Sequence, residues 1–309
     1  MKFSHREEKR DDRLLDVLTD EENGLRLIVA RLGAELISVA RRDRNGTWIG
    51  FLNRDNEISA PEKGWANHAT VMGYYLHRIK NERTLYRGQE MRGGTHSFLR
   101  GKVWHSVEST RPDELIYRIT PEDFSAIEYP FRVSLDLTYR IDGPRISVSF
   151  KLKNDESALT AHVGFGLHPG FAARSFDSFR FEMPAGLYRR HFSPENYLSG
   201  ETEDIRVTGG EMPFAKEKLT GSYILELVDV PAPKFTFSDP PSGRSVAIDL
   251  TGVPYLTLWS DGGAFLCVEP CWGLTDHHEQ RAFENKEGIQ EIAPGRELVA
   301  SFSFQPALA

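Results

Sequence analysis

The sequence predicts an all-β chain folded as one large antiparallel β-sandwich, and three observations predict it. Apolar and polar residues alternate with period two over much of the chain, the pattern of strands with one buried and one wet face. Turn-forming residues punctuate these stretches at Asn45-Gly46, Asp142-Gly143-Pro144, Pro240-Pro241-Ser242-Gly243 and Asp261-Gly262-Gly263. No stretch sustains a helical period beyond two turns.

The clearest element is a hairpin. Phe131, Val133, Leu135, Leu137, Tyr139 and Ile141 occupy alternate positions, and after the turn the pattern resumes at Ile146, Val148, Phe150 and Leu152. Further strands are expected at Leu25 to Val29, Glu35 to Ala40, Leu115 to Ile119, Ser245 to Leu250, Tyr255 to Trp259, Phe265 to Glu269 and Leu298 to Phe304. Thr160 to Phe171 reads as a strand with Ala161, Val163, Phe165 and Leu167 on one face and His162, Gly164, Gly166 and His168 on the other. Two imidazoles separated by two glycines form a polar strip against which a ligand ring could lie.

Hydrophobic residues make up 39% of the 309 positions, enough for a substantial core, and no repeat, low-complexity run or linker divides the chain. Residues 1–309 are therefore expected to form a single domain. Residues 1–12, crowded with charge and lacking an apolar segment, are expected to be a flexible tail and resemble neither a signal peptide nor a membrane span. A net charge of −7 argues against nucleic acid as a partner. The two cysteines, Cys267 and Cys271, are too few for a disulfide scaffold or a closed zinc site and read as structural thiols of a reducing, cytoplasmic compartment.

Three constellations carry candidate chemistry. The first is the His162/His168 strip. The second runs from Asn67 to Trp104 and contains Gly73-Tyr-Tyr-Leu-His77-Arg78-Ile79 and the glycine-rich loop Gly93-Gly94-Thr95-His96-Ser97-Phe98-Leu99-Arg100. The third is Phe265-Leu-Cys-Val-Glu269-Pro270-Cys-Trp272-Gly273, where a carboxylate closes an apolar strand, a placement that partly desolvates a base. His277-His278-Glu279 lies in a polar turn and reads as surface.

These segments, in this order, resemble the aldose 1-epimerase (galactose mutarotase) superfamily, in particular its divergent bacterial branch. Gly24 to Leu36 is similar to the family's opening hairpin, and Ile292-Ala-Pro294-Gly295-Arg296-Glu297 to the approach to its last strand. Gly73 to Ile79 resembles a Gly-Arg-x-Ala-Asn-Arg-Ile motif, which implies Arg78 as a sugar-binding arginine and puts His77 in place of asparagine. His96-Ser97-Phe98 resembles a His-Gly-Phe loop, with serine for glycine and His96 as a substrate-binding histidine. Leu167-His168-Pro169-Gly170-Phe171 is similar to Asn-His-Pro-Tyr-Phe, which implies His168 as general acid, and Glu269 matches the base within a Glu-Pro-x-Trp-Gly pattern. The family fold is a large antiparallel supersandwich, in agreement with the alternation. The family's sugar-binding aspartate has no clear counterpart, although Asp204, Asp229 and Asp249 lie in the region.

The resemblance implies an isomerase that interconverts sugar anomers, with Glu269 as base, His168 as acid, and Arg78 and His96 binding the sugar; His77, His162, Trp272 and Arg100 are expected beside them as further substrate-binding residues, in a cytoplasmic protein. It implies no metal or organic cofactor and no membrane or nucleic-acid partner, and it is compatible with a monomer or a homodimer. Three alternatives stand beside this reading. Six positive against two negative charges from Arg78 to Arg100 suit a hexose-6-phosphate 1-epimerase. The altered His77 and Ser97 suit a non-catalytic sugar-binding or sensing protein. A metal-dependent enzyme would draw on His77, His96, His162 or His168, without a tight ligand motif to support it.

Overall fold

The computed structural model describes residues 2–309 and consists of antiparallel sheets joined by turns and short 3-10 segments. Among the described residues no helix is long and apolar enough to cross a membrane. The expected strands form within a few residues of their predicted bounds, and some run longer. Val133–Asp142 and Arg145–Asn154 make the hairpin, with Ile141 opposite Ile146 and buried residues at every second position. Tyr255–Trp259 matches its expected range, and Phe265–Trp272 extends three residues past Glu269.

Two large sheets make the sandwich. One has nine strands, with Glu297–Leu308 and the 133–154 hairpin near its centre. The other has eight, and runs through Thr202–Val207, Gly186–His191, Tyr223–Asp229, Tyr255–Trp259, Phe265–Trp272 and Ala161–Ala172, whose outer edge pairs with both Gln290–Ile292 and Ala69–Tyr74. Their inner faces meet in one apolar core. Phe150 of the nine-stranded sheet lies 5.3 Å from Phe165 and 5.9 Å from Trp272 of the other, ring centre to ring centre, and Phe171 lies 5.8 Å from Phe304. Each such ring contributes about 1.5–3 kcal/mol by burial.

A third sheet of five consecutive strands, Phe3–Arg10 to Trp48–Gly50, packs Leu18, Leu27 and Val39 into the same core. Here the expectation for residues 1–12 is corrected. Phe3–Arg10 is an edge strand, paired with Arg13–Asp20 from Phe3 opposite Asp20 to Arg10 opposite Arg13. An edge strand needs ladder hydrogen bonds rather than apolar side chains, and charge on it discourages pairing with another chain. Its charges are also partnered: Arg31 bridges Glu7 and the fully buried Asp16, which accepts a hydrogen bond from Tyr117 Oη at 2.9 Å.

The register of the eight-stranded sheet positions everything that follows. His191 pairs with Ile224, Ile224 with Thr257, and Thr257 with Glu269. The ladder from Gly166–Cys271 to Gly170–Cys267 sets Glu269 opposite His168, and His168 pairs with Thr70. Opposite residues in antiparallel strands project to one face about 5 Å apart, so this row of six side chains crosses the sheet on the face away from the sandwich core.

Candidate active site

Alternation sends Leu266, Val268 and Trp272 into the core and Cys267, Glu269 and Cys271 to the outer face. Glu269 is only 1% exposed, yet it is well satisfied. Its Oε1 lies 3.2 Å from His168 Nε2, and its Oε2 lies 3.1 Å from His77 Nε2. A carboxylate oxygen accepts, so both Nε2 atoms donate, and each Nδ1 is left to accept when its ring is neutral and to donate when its ring is protonated. The Nδ1 atoms of His77, His168 and His96 are all enclosed and without a protein partner. Three acceptor-capable nitrogens left open around one buried carboxylate make a site suited to a hydroxyl-bearing ligand.

His77 and His96 reach this point from strained loops. His77 has φ of +53°, His96 of +61° and Ser97 of +67°, left-handed values that cost residues with a Cβ about 1 kcal/mol or more each. The His96 N–H donates to the His77 carbonyl at 2.7 Å, and the rings of His77 and His96 meet edge to face at 5.6 Å. His96 also meets His168 edge to face at 5.0 Å. The φ at Ser97 explains why a glycine suits that place in the resembling motif. Burial, and then the neighbouring His168 and His77, push His96 well below the ordinary histidine pKa. Burial also lowers His168, against the opposing pull of Glu269.

Trp272 is corrected. Its ring stacks on Phe165 at 5.1 Å with 9° between planes, inside the core, and its Nε1 donates to the Gly252 carbonyl. The sequence held the signal: Glu269 and Trp272 are three residues apart on one strand and so must face opposite ways. The aromatic at the site is Trp65, half-buried, stacked on His168 at 4.9 Å and on Phe265 at 5.3 Å, with Trp259 edge-on to His168 at 5.8 Å. Trp65 comes from the loop before Ala69–Tyr74 and lies over Gly170, where a Cβ would approach its ring to 2.5 Å. Its remoteness in sequence hid it, although the glycine at 170, where the resembling motif has tyrosine, marked space for another ring.

His162 is corrected as well. It lies six residues along the strand from His168, roughly 20 Å away, where it bonds Tyr86 Oη at 2.5 Å and faces Glu291 at 3.5 Å. The two glycines between the histidines do not leave room for a ligand. Met72, Leu76 and Cys271 pack over that part of the strip. Leu76 and Ile289 stand 3.7 Å from where a Gly164 Cβ would be, and a Gly166 Cβ would lie 2.4 Å from the Pro270 carbonyl oxygen. Gly166 thus permits the close approach of the two strands that carry His168 and Glu269.

Arg78 and Arg100 are exposed, have no carboxylate partner among the described residues, and are near enough to His96 to depress its pKa further. Arg92 pairs with Glu90, and Lys80 Nζ donates to the His278 carbonyl. Asp204 pairs with Arg189 at 2.8 Å, Asp249 caps Thr251, and Asp229 is exposed, so each has another setting. His278 and Glu279 are exposed as expected, whereas His277 is buried. One partial donor set for a metal exists: His77, Glu269 and Cys271 have ligand atoms within 4.8 Å of one another. A closed zinc site takes four ligands, and here two of the three are already bonded to each other.

A family model described as aldose 1-epimerase matches residues 16–305. Protein LacX (plasmid) of Lactococcus lactis subsp. lactis is 23% identical, across 85% of this chain and 90% of that protein. Among solved structures, a galactose mutarotase related enzyme from Lactobacillus acidophilus superposes with a TM-score of 0.82 at 20% identity, covering 98% of this chain and 97% of the other. A galactose mutarotase-like protein from Lactobacillus casei gives 0.80 at 20% identity, covering 98% and 100%. These structural likenesses establish the supersandwich fold.

Replacing Gly166 with alanine is expected to destabilise the protein by about 2 kcal/mol or more, measured by urea denaturation; unchanged stability would mean that the glycine faces open space. The lowered histidines also set a pH dependence. Between their depressed values and the ordinary 6.5 the folded protein binds fewer protons than the unfolded chain, so stability rises with pH through that window and is lost as pH falls. The melting temperature should therefore drop between about pH 7.5 and about pH 5.5, and His96→Asn should shrink that drop. An equal drop in the variant would refute the assignment to His96.

Proposed function

We propose that this chain, which belongs to the aldose 1-epimerase family, interconverts the α and β anomers of an aldose by acid/base opening of the sugar ring. The observation that carries the reading is the buried Glu269 carboxylate within hydrogen-bond distance of His168, a base and an acid on neighbouring strands beside open histidine nitrogens. Glu269 takes the proton of the anomeric hydroxyl while His168, in its imidazolium form, gives one from its open Nδ1 to the ring oxygen. The C1–O5 bond breaks and an aldehyde forms. Rotation about C1–C2 presents the other face of the carbonyl, and on reclosure His168 recovers its proton as Glu269 returns the other to O1.

No proton is gained or lost over the cycle. Burial makes the His168 imidazolium a stronger acid, which favours transfer to the weakly basic ring oxygen. His77 holds the second carboxylate oxygen and so fixes the direction of Glu269. His96, Arg78 and Arg100 would meet the sugar hydroxyls, and Trp65 offers a flat wall to the apolar face of the ring.

A second reading is favoured by one observation. Arg78 and Arg100 are exposed and free of carboxylates among the described residues, an arrangement suited to a phosphorylated sugar. Polarimetric equilibration of a panel of free hexoses and their 6-phosphates would separate the two substrates. With the better one, Glu269→Gln is expected to lower kcat by about two to four orders of magnitude while binding persists. Near-wild-type kcat in that variant would overturn Glu269 as base, and sugar binding without equilibration by the wild type would favour a sensing role.

A further inference from the structure

A buried ion pair lies next to the site and takes no part in the chemistry above. Lys286 Nζ is 3.1 Å from Asp276 Oδ1, and both side chains are 2% exposed. Withdrawing two such charges from water is costly, and a well-packed apolar pair often serves stability as well or better. The pair therefore calls for a use beyond holding the fold together, and the remaining bonds of Asp276 supply one. Its Oδ2 accepts the Lys80 N–H at 2.9 Å, and its own backbone N–H donates to the Arg78 carbonyl at 3.1 Å.

These two bonds grip the chain on both sides of Ile79, whose side chain is anchored in the core at 2% exposure. One residue before Arg78, the His77 ring is tied to Glu269. The backbone of Arg78 is thus fixed from both directions, while its side chain is exposed and bound to no carboxylate among the described residues. A long, freely rotating side chain reaches a ligand reproducibly only when its Cα is held.

We propose that the Asp276–Lys286 pair is a positioning device for Arg78: Asp276 clamps the Arg78–Lys80 backbone, and Lys286 stands beside the clamping carboxylate as its counter-charge in the buried seat. The proposal rests on the reading of Arg78 as a sugar-binding residue. It explains why charge is kept at this place, since an apolar pair would fill the space without accepting the Lys80 N–H.

The test compares Asp276→Leu/Lys286→Met, which removes both charges and the acceptor, with Asp276→Asn/Lys286→Met, which removes both charges but retains an amide oxygen. Removing the charges together avoids stranding one of them. The leucine double variant should raise KM for the best sugar of the panel about tenfold with kcat within about twofold, and the asparagine variant should recover most of that loss. In an Arg78→Ala background the leucine variant should add little, because the two act through one contact. Amide hydrogen exchange at Lys80, which needs no substrate, should speed up in the leucine variant and less in the asparagine one. Equal KM penalties with and without Arg78, or unchanged Lys80 protection, would overturn the clamp. If the wild type turns over no sugar, the enzymatic reading fails instead, and the exchange result with a crystal structure of the leucine variant still decides whether Asp276 fixes Arg78.

Discussion

A single buried carboxylate organises the outer face of the eight-stranded sheet. Glu269 has almost no access to water, and an ionised carboxylate in such a place is tolerable only with donors supplied by the protein. His168 arrives by strand register and His77 by a loop held in left-handed backbone. The strain at His77, His96 and Ser97 is the local cost of bringing three imidazoles to one point. The enclosed Nδ1 atoms follow from it, because each ring that turns Nε2 to the carboxylate, or its edge to a neighbour, has its other nitrogen left over.

The aromatic packing around the site obeys the same geometry. A strand offers each face only every second residue, so a ring placed on Phe265–Trp272 at the parity of Trp272 joins Phe165 in the core. The outer face must borrow its flat wall from elsewhere. Gly170 leaves the space, and Trp65 crosses from a distant loop to occupy it against His168 and Phe265. The close strand approach at Gly166 and the vacancy at Gly170 are two uses of glycine on one face: the first admits backbone, the second a side chain.

Much of this was legible in the residues. The alternation at 131–152 and 255–259 gave strands because period two is imposed by the pleat itself, and the motifs around His77, His96, His168 and Glu269 come together in space. The edge strand Phe3–Arg10 was hidden because its stability lies in backbone pairing and charge partners, not in apolar pattern. His162 shares a face with His168 but not a place, since residues on the same side of a strand can lie far apart along it. Trp65, Asp276 and Lys286 carried no local signal, since their significance depends on which remote segment each one meets.

The row from His191 through Thr257, Glu269 and His168 to Thr70 has a consequence for how such a molecule diversifies. His168 and Glu269, the proposed acid and base, are set by backbone ladders, which tolerate wide changes of side chain elsewhere so long as register is kept. Trp65, Arg78 and His96 come from loops and Arg100 from a short 3-10 turn, so these side chains lie outside the ladders. Reactivity and selectivity are thus inherited through separate parts of the architecture. On the proposed reading, a lineage built this way exchanges one sugar for another by rewriting its rim while the proton chemistry beneath stays in register.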